Sequence, residues 1–203
     1  MRHITWVLFD LGGVVLRVDQ TRIFEQLAGM TGLDADDIGR LLGATPNFWH
    51  DFMVREYTPS QVAQQVNILL RTQLGDHDIE NAINAELGAP IEETCVLVPL
   101  LRTRVSVGCL SNTNSIHWDR MLNTYEVMGH FDRRFASQML GHAKPSSEIY
   151  RTVSENLGVA PNQILFFDDR VENVRAAHNL GWNARVYRDH AGMLADLREW
   201  NLD

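Results

Sequence analysis

Three apolar runs in this 203-residue chain end on side chains that can do chemistry. Trp6–Phe9 runs into Asp10, Val105–Leu110 into Ser111 and Asn112, and Ile164–Phe167 into Asp168 and Asp169, with Asn173 just beyond. Lys144 stands beside Pro145, ahead of a helical pattern. If a sheet lays these runs side by side, carboxylates, a hydroxyl, an amide and an ammonium meet at one edge. Carboxylates crowded at one point repel unless a hard cation lies between them. Mg²⁺ suits that place, because it takes oxygen ligands and is held by one or two carboxylates together with substrate phosphate. Ser111 and Asn112 can donate hydrogen bonds to phosphoryl oxygens, and Lys144 brings positive charge. One carboxylate is then left to attack phosphorus and form an acyl phosphate. On this reading the buried run ends on Asp10 because it presents a nucleophile. Taken singly, Asp10 is also a turn acid, Asp168 and Asp169 are helix-opening acids, Ser111 a cap and Lys144 a surface residue. Their joint placement outweighs those plainer roles.

The elements that must position them follow from hydropathy patterning. Continuous apolar runs read as buried parallel strands, and Ala184–Tyr187 with the weaker Arg134–Ser137 add two to the three above. Between them lie helical patterns. Ser146–Leu157 places Ile149, Val153 and Leu157 on one face and is stopped by Gly158. Val171–Leu180 is stopped by Gly181, and Ser115–Tyr125 and Met193–Trp200 are further helices. Strand alternating with helix predicts an α/β fold, a doubly wound parallel sheet, with its ligand site beyond the carboxyl ends of the strands.

The segment Thr21–Leu87 breaks the alternation. It shows helical periodicity (Ile23, Leu27, Met30; Val62, Val66, Leu69–Leu70) and no strand, and predicts a helical cap inserted after the first strand. Pro46 and Pro59 punctuate it, with Thr58 as an N-cap and Pro59 at the first helical position. The expected division is a core of residues 1–16 and 92–203 and a cap of residues 17–91. Within the cap, Phe48, Trp49 and Phe52 are packing residues or, with His50, Asp51, Arg55 and Glu56, part of a wall facing the leaving group. Arg17, Asp19, Asn114, His117, Trp118 and His142 are comparable candidates.

Composition bounds the partners. A net charge of −8 argues against nucleic acid or an anionic membrane, both of which reward clustered Lys and Arg. No apolar run approaches the roughly 18 residues of a membrane span, and the opening MRHITWVLFD is too short and too soon charged for a signal peptide. Cys95 and Cys109 make no disulfide framework and are expected as buried free thiols in a reducing cytoplasm. The expected partner is a small phosphorylated metabolite, bound by a monomer or homodimer.

FDLGGVV, LSNTN, the Lys144–Pro145 step and FFDDRVEN follow one another over nearly the whole chain. Together they resemble the four motifs of the haloacid dehalogenase superfamily. The similarity is to its phosphatases with a helical cap after the first motif, the branch of epoxide hydrolase N-terminal phosphatase domains and bacterial glucose-1-phosphate phosphatases. The resemblance implies that Asp10 is the nucleophile and that Asp10, the Gly12 carbonyl and Asp169 hold Mg²⁺. It implies that Ser111 and Lys144 bind the transferred phosphoryl group, with Asp168 and Asn173 close to the metal. The implied activity is a Mg²⁺-dependent phosphomonoesterase, acting on a sugar phosphate through an aspartyl phosphate. One departure stands out. Most such phosphatases carry a second Asp two residues after the nucleophile, to protonate the leaving oxygen, and here that position is Gly12. The leaving oxygen must then depart as an alkoxide, with a rate falling steeply as it becomes more basic, or take a proton from water, the substrate or a cap residue. His50, Asp51 and Glu56 are the first candidates. The alternatives are a metal-independent dehalogenase-type hydrolase using Asp10, and a phospho-ligand binding protein with little turnover.

Overall fold

The computed structural model describes residues 3–202. In chain order the elements begin with β1 (Trp6–Phe9) and β2 (Leu16–Val18). Five helices follow: α1 (Thr21–Thr31), α2 (Ala35–Gly43), α3 (Pro46–Val54), α4 (Pro59–Leu70) and α5 (Asp76–Asn84). Next come β3 (Leu87–Pro90), α6 (Glu92–Leu101), β4 (Ser106–Ser111), α7 (Ser115–Thr124), β5 (Arg133–Ala136) and α8 (Ser137–Leu140). The chain closes with α9 (Ser147–Leu157), β6 (Ile164–Asp168), α10 (Val171–Asn179), β7 (Asn183–Val186) and α11 (His190–Arg198). Five strands form one parallel sheet in the order β5-β4-β1-β6-β7. The three central strands are the three apolar runs that end on chemistry.

Alternation along each strand divides the buried residues between two layers. Val7, Phe9, Val107, Cys109, Leu165 and Phe167 share a core with Leu97 and Leu101 of α6 and Met193 and Leu197 of α11. Leu8, Leu110, Ile164 and Phe166 share another with Ile149 and Val153 of α9 and Val174 and Ala177 of α10. Both faces are therefore covered, which is why these strands read as unbroken apolar runs.

Helices α1–α5 bury their own cluster, Ile23, Leu27, Ile38, Leu42, Phe52, Val62, Val66, Leu70 and Ile79 among others. Thr58 does cap α4: its side chain accepts from the Gln61 N–H at 3.3 Å, while Gln61 accepts from the Thr58 N–H at 2.9 Å, with Pro59 at the first position. The residues of α7 tie this layer to the sheet. Ile116 joins the apolar cluster of α1–α5, and Ser115 Oγ donates to the Tyr57 carbonyl at 2.6 Å.

The structure adds elements that the patterning does not reveal. β2 and β3 pair as an antiparallel ribbon at the two ends of the five-helix segment. Each is too short to show a period of two, and β3 contains Gly88 and Pro90. α6 carries Pro99 in its interior, which masks it as a helix. α11 begins at His190 rather than Met193, because Asp189 Oδ1 accepts from the Gly192 N–H at 2.7 Å and caps it earlier. Met30 and Leu157 fall at the margins of their helical faces and are not fully buried. Cys109 is buried, whereas Cys95 is half-buried, and both thiols are free. Among the described residues, no helix is long and apolar enough to cross a membrane.

Candidate active site

The parallel register brings the three strand ends together. Phe9 is level with Cys109 on β4 and Phe167 on β6, so Asp10, Ser111 and Asp168–Asp169 emerge side by side. The Asp10 N–H continues the ladder to the Phe167 carbonyl at 2.8 Å. Its carboxylate turns back to accept from the Leu11 N–H at 2.7 Å through Oδ1. That leaves Oδ2, which meets Lys144 Nζ at 2.9 Å.

Lys144 is the hub of the site. Its ammonium is buried and donates to Asp10 Oδ2, to Asp168 Oδ2 at 2.7 Å and to the Leu110 carbonyl at 3.0 Å. The loop that carries it is clamped by Asn112, whose side-chain amide donates to the Lys144 carbonyl at 2.7 Å and accepts from the Lys144 N–H at 2.7 Å. Both polar ends of Asn112 are therefore engaged with the main chain of Lys144.

Asp168 is fully buried and saturated. Besides Lys144 it accepts from Asn173 Nδ2 at 2.9 and 3.0 Å and from the Arg170 N–H at 2.9 Å. Asp169 faces outward instead. Oxygens of Asp10, Asp168 and Asp169 lie within 4.8 Å of one another, a set of hard donors that suits Mg²⁺. Of the three, Asp10 and Asp169 line the open cavity. Burial is the main influence on Asp10 and pushes its carboxyl from 3.8 up to about 7, Lys144 pulling it down and Asp168 pushing it up. Asp169 is also raised, first by burial and then by Asp168. Burial sets both shifts first, and the neighbouring Asp168 charge that adds to them is one a cation would relieve.

The two glycines after Asp10 differ. Gly13 has φ +75°, and a Cβ there would overlap the Asp169 carboxylate, lying 2.8 Å from its Cγ. Only glycine lets the first loop turn this close to the acid. Gly12 has no such restriction: a Cβ would meet only Val18 methyls at 3.5 and 3.6 Å.

The cavity above these residues has a volume of about 480 Å³. Asp10, Gly12, Ser111, Asn112, Lys144, Asp169 and Asn173 line its floor, and Gln20, Trp49, His50, Met53, Glu86 and His117 close it from above and the side. Trp49 both packs and faces the cavity, its indole N–H donating to the Leu42 carbonyl at 2.7 Å, while Phe48 and Phe52 stack within the aromatic cluster. Asp51, Arg55, Arg17, Asp19 and His142 do not line this cavity, and Glu56 belongs to a different depression. Asn114 is a helix cap, its Oδ1 accepting from the His117 N–H at 2.9 Å, and Trp118 is buried core. Glu86 is an acidic lining residue that patterning misses. It precedes β3 in a segment read as plain helix, and only the β2–β3 pairing reveals its position beside the site.

The family model for haloacid dehalogenase-like hydrolases matches residues 4–181. A phosphatase of Mycobacterium tuberculosis is 30% identical over 200 residues, covering 95% of this chain and 91% of its own. A D-ribitol-5-phosphate phosphatase of Bacteroides thetaiotaomicron is 24% identical over 187 residues, 87% of this chain and 88% of its own. Among solved structures, an enzyme of this family from Bacteroides thetaiotaomicron, in complex with magnesium and inorganic phosphate, superposes with a TM-score of 0.80 at 26% identity, over 91% of this chain and 94% of that one.

Proposed function

The chain belongs to the haloacid dehalogenase-like hydrolases, and from that membership we propose that it is a Mg²⁺-dependent phosphomonoesterase of a small phosphorylated metabolite. The observation that carries the reading is the pairing of opposite demands on Asp10. Lys144 orients one of its oxygens at 2.9 Å from one side, and Asp169 shares the open cavity with it on the other. A hydrolase that worked without metal would gain nothing from that second carboxylate. The Bacteroides complex with magnesium and inorganic phosphate supports the same reading. The division into a core (1–16 and 92–203) and a cap (17–91) belongs to this proposal.

Asp10, Asp169 and the Gly12 carbonyl would hold Mg²⁺, which supplies charge neutralisation for the phosphoryl oxygens when bound. Asp10 attacks phosphorus in line and the ester oxygen leaves as the alcohol. The Ser111 hydroxyl and the Lys144 ammonium bind the equatorial oxygens. Asp168 and Asn173 act through Lys144: they hold its ammonium where the phosphoryl group develops charge, and Asn112 fixes the same loop from its main chain. Water then cleaves the aspartyl phosphate and restores the Asp10 carboxylate.

The walls narrow the substrate. Besides Lys144, the full cation lining the cavity is Arg170, which is already paired with Glu172 at 2.8 Å. That lining offers little positive charge beyond the first phosphoryl group, which favours a leaving group without a second phosphate. Trp49, Met53, Val18 and Leu87 with Gln20 and His50 offer a mixed apolar and polar wall, which fits a sugar or polyol monophosphate. The test is phosphate release from a panel of phosphorylated metabolites with Mg²⁺ and with EDTA, using Asp10→Asn as control. Release that EDTA leaves intact, or that the variant retains, refutes the reading.

A further inference from the structure

We propose that Glu86 is the proton donor to the leaving oxygen, standing in for the carboxylate absent at Gly12. The proposal rests on the phosphatase reading. Glu86 lies in the connection between α5 and β3 and lines the same cavity as Asp10, Gly12, Ser111 and Lys144. Its backbone carbonyl accepts from the Asp19 N–H at 2.9 Å, which joins the two connections that flank the helical segment and fixes the Glu86 backbone beside the start of α1.

Elimination among the titratable groups of this cavity leads to the same residue. Asp10 is the nucleophile and Asp169 faces the metal position. Lys144 is committed to two carboxylates and a carbonyl. Arg170 is paired with Glu172. His117 has no proton to spare: its Nε2 donates to the Ile83 carbonyl at 2.8 Å, and its Nδ1 accepts from the Asn114 amide at 3.1 Å. Burial, its main influence, lowers the His117 pKa and favours the neutral ring that this pairing requires. His50 is exposed on α3 and, among the described residues, no hydrogen bond aims its ring. Glu86 remains. Its side chain is 24% exposed, with Oε2 3.8 Å from His117 Nε2. Burial first, and the Asp19 carboxylate second, shift its carboxyl above the ordinary range, the direction that suits a general acid.

The steps balance. The bond from Asp10 to phosphorus forms as the P–O ester bond breaks. The leaving oxygen takes the Glu86 proton and departs as the alcohol, leaving Glu86 ionised. Glu86 then takes a proton from water, whose oxygen attacks phosphorus while the bond to Asp10 breaks. Inorganic phosphate is released and Glu86 is again protonated.

The experiment compares kcat/KM of the full chain with Mg²⁺ on p-nitrophenyl phosphate, whose leaving group needs no proton, and on a primary alkyl phosphate, whose leaving group does. General acid help contributes about 10²–10⁴-fold, so Glu86→Gln loses that factor on the alkyl ester and far less on the aryl ester. Glu86→Asp retains part of the alkyl rate. Adding Gly12→Asp to Glu86→Gln places a carboxylate at the position with room for it and recovers alkyl turnover. Equal losses on both esters would make Glu86 structural, and no loss on either would remove it from the reaction; both outcomes overturn the proposal. A wild-type chain that releases phosphate from neither ester overturns the phosphatase reading itself, an outcome distinct from the other two.

Discussion

Replacing Lys144 by Met keeps the aliphatic stem and deletes the charge at the centre of the site. The Lys144 side chain is 1% exposed, and its ammonium touches Asp10 at 2.9 Å, Asp168 at 2.7 Å and the Leu110 carbonyl at 3.0 Å. Without it, two buried carboxylates and a carbonyl lose their common donor. Removing one partner of a buried ion pair costs about 3–5 kcal/mol. For a chain of this size each kcal/mol is about 2–4 °C in Tm, so the metal-free variant melts roughly 6–20 °C lower near neutral pH and above. The loss depends on pH in a defined sense. Asp10 is raised to about 7 by burial even with Lys144 pulling it down, and rises further when Lys144 is gone. An acid whose folded-state pKa is raised binds more protons folded than unfolded, so stability falls as pH climbs from its unfolded value through its folded one. The difference between variant and wild type is therefore greatest at about pH 8 and shrinks at about pH 5.5, where Asp10 is protonated in both folded proteins. Urea denaturation of the EDTA-treated proteins, followed by tryptophan fluorescence at both pH values, measures it. Equal destabilisation at the two pH values, or less than about 1 kcal/mol at the higher one, would refute a buried charge hub.

Asp10→Asn preserves the fold and lowers turnover by at least about 10³-fold, the scale of losing a covalent catalyst; a variant with half the wild-type rate would remove Asp10 from that role. Mg²⁺ raises the Tm of the wild type by mass action and fails to do so for Asp169→Ala, whose activity falls in parallel; calorimetry showing undiminished Mg²⁺ binding in the variant would contradict the assignment. Gly13→Ala combines a left-handed backbone with a Cβ driven into the Asp169 carboxylate, so it lowers both Tm and Mg²⁺ affinity. A thermal-shift titration in which Gly13→Ala behaves as wild type would exclude that steric account.

The sheet was legible because its chemistry sits at the ends of fully buried strands. Trp6–Phe9 matches β1 at both ends, β4, β5 and β7 are each displaced by one residue from their predicted runs, and β6 runs one residue further. Asp10, Ser111 and Asp169 were legible as neighbours because parallel register brings strand ends together, whereas Lys144 arrives on the loop before α9, clamped there by Asn112. What patterning could not supply was pairing between short segments. β2 and β3 are three and four residues long, so no periodicity distinguishes them from coil. Glu86 was hidden for that reason, and the candidates that residue type offered were His50, Asp51 and Glu56, of which His50 lines the cavity. Nor could residue type reveal direction. Asn112 offers an amide at a strand end, as a phosphate ligand would, yet it spends both polar ends on the main chain of Lys144.

The adjacent glycines of the first loop look alike in the sequence and separate on physical grounds. At position 13 the backbone is left-handed and the space where a Cβ would stand belongs to Asp169, so packing excludes every other residue. At position 12 neither constraint holds, and the nearest obstacles are Val18 methyls at ordinary contact distance. A Cβ at that position would therefore be tolerated, so the backbone there does not demand glycine. What a second acid there would bring is charge. Asp10, Asp168 and Asp169 already crowd within 4.8 Å, and each added carboxylate would raise their cost further in the metal-free protein. Glu86 lines the same cavity but stands outside that carboxylate cluster, and burial shifts its carboxyl toward the neutral form, so it adds less to that repulsion. Separating the donor from the metal ligands lets burial tune Glu86 as an acid while Asp10 and Asp169 remain available to a cation.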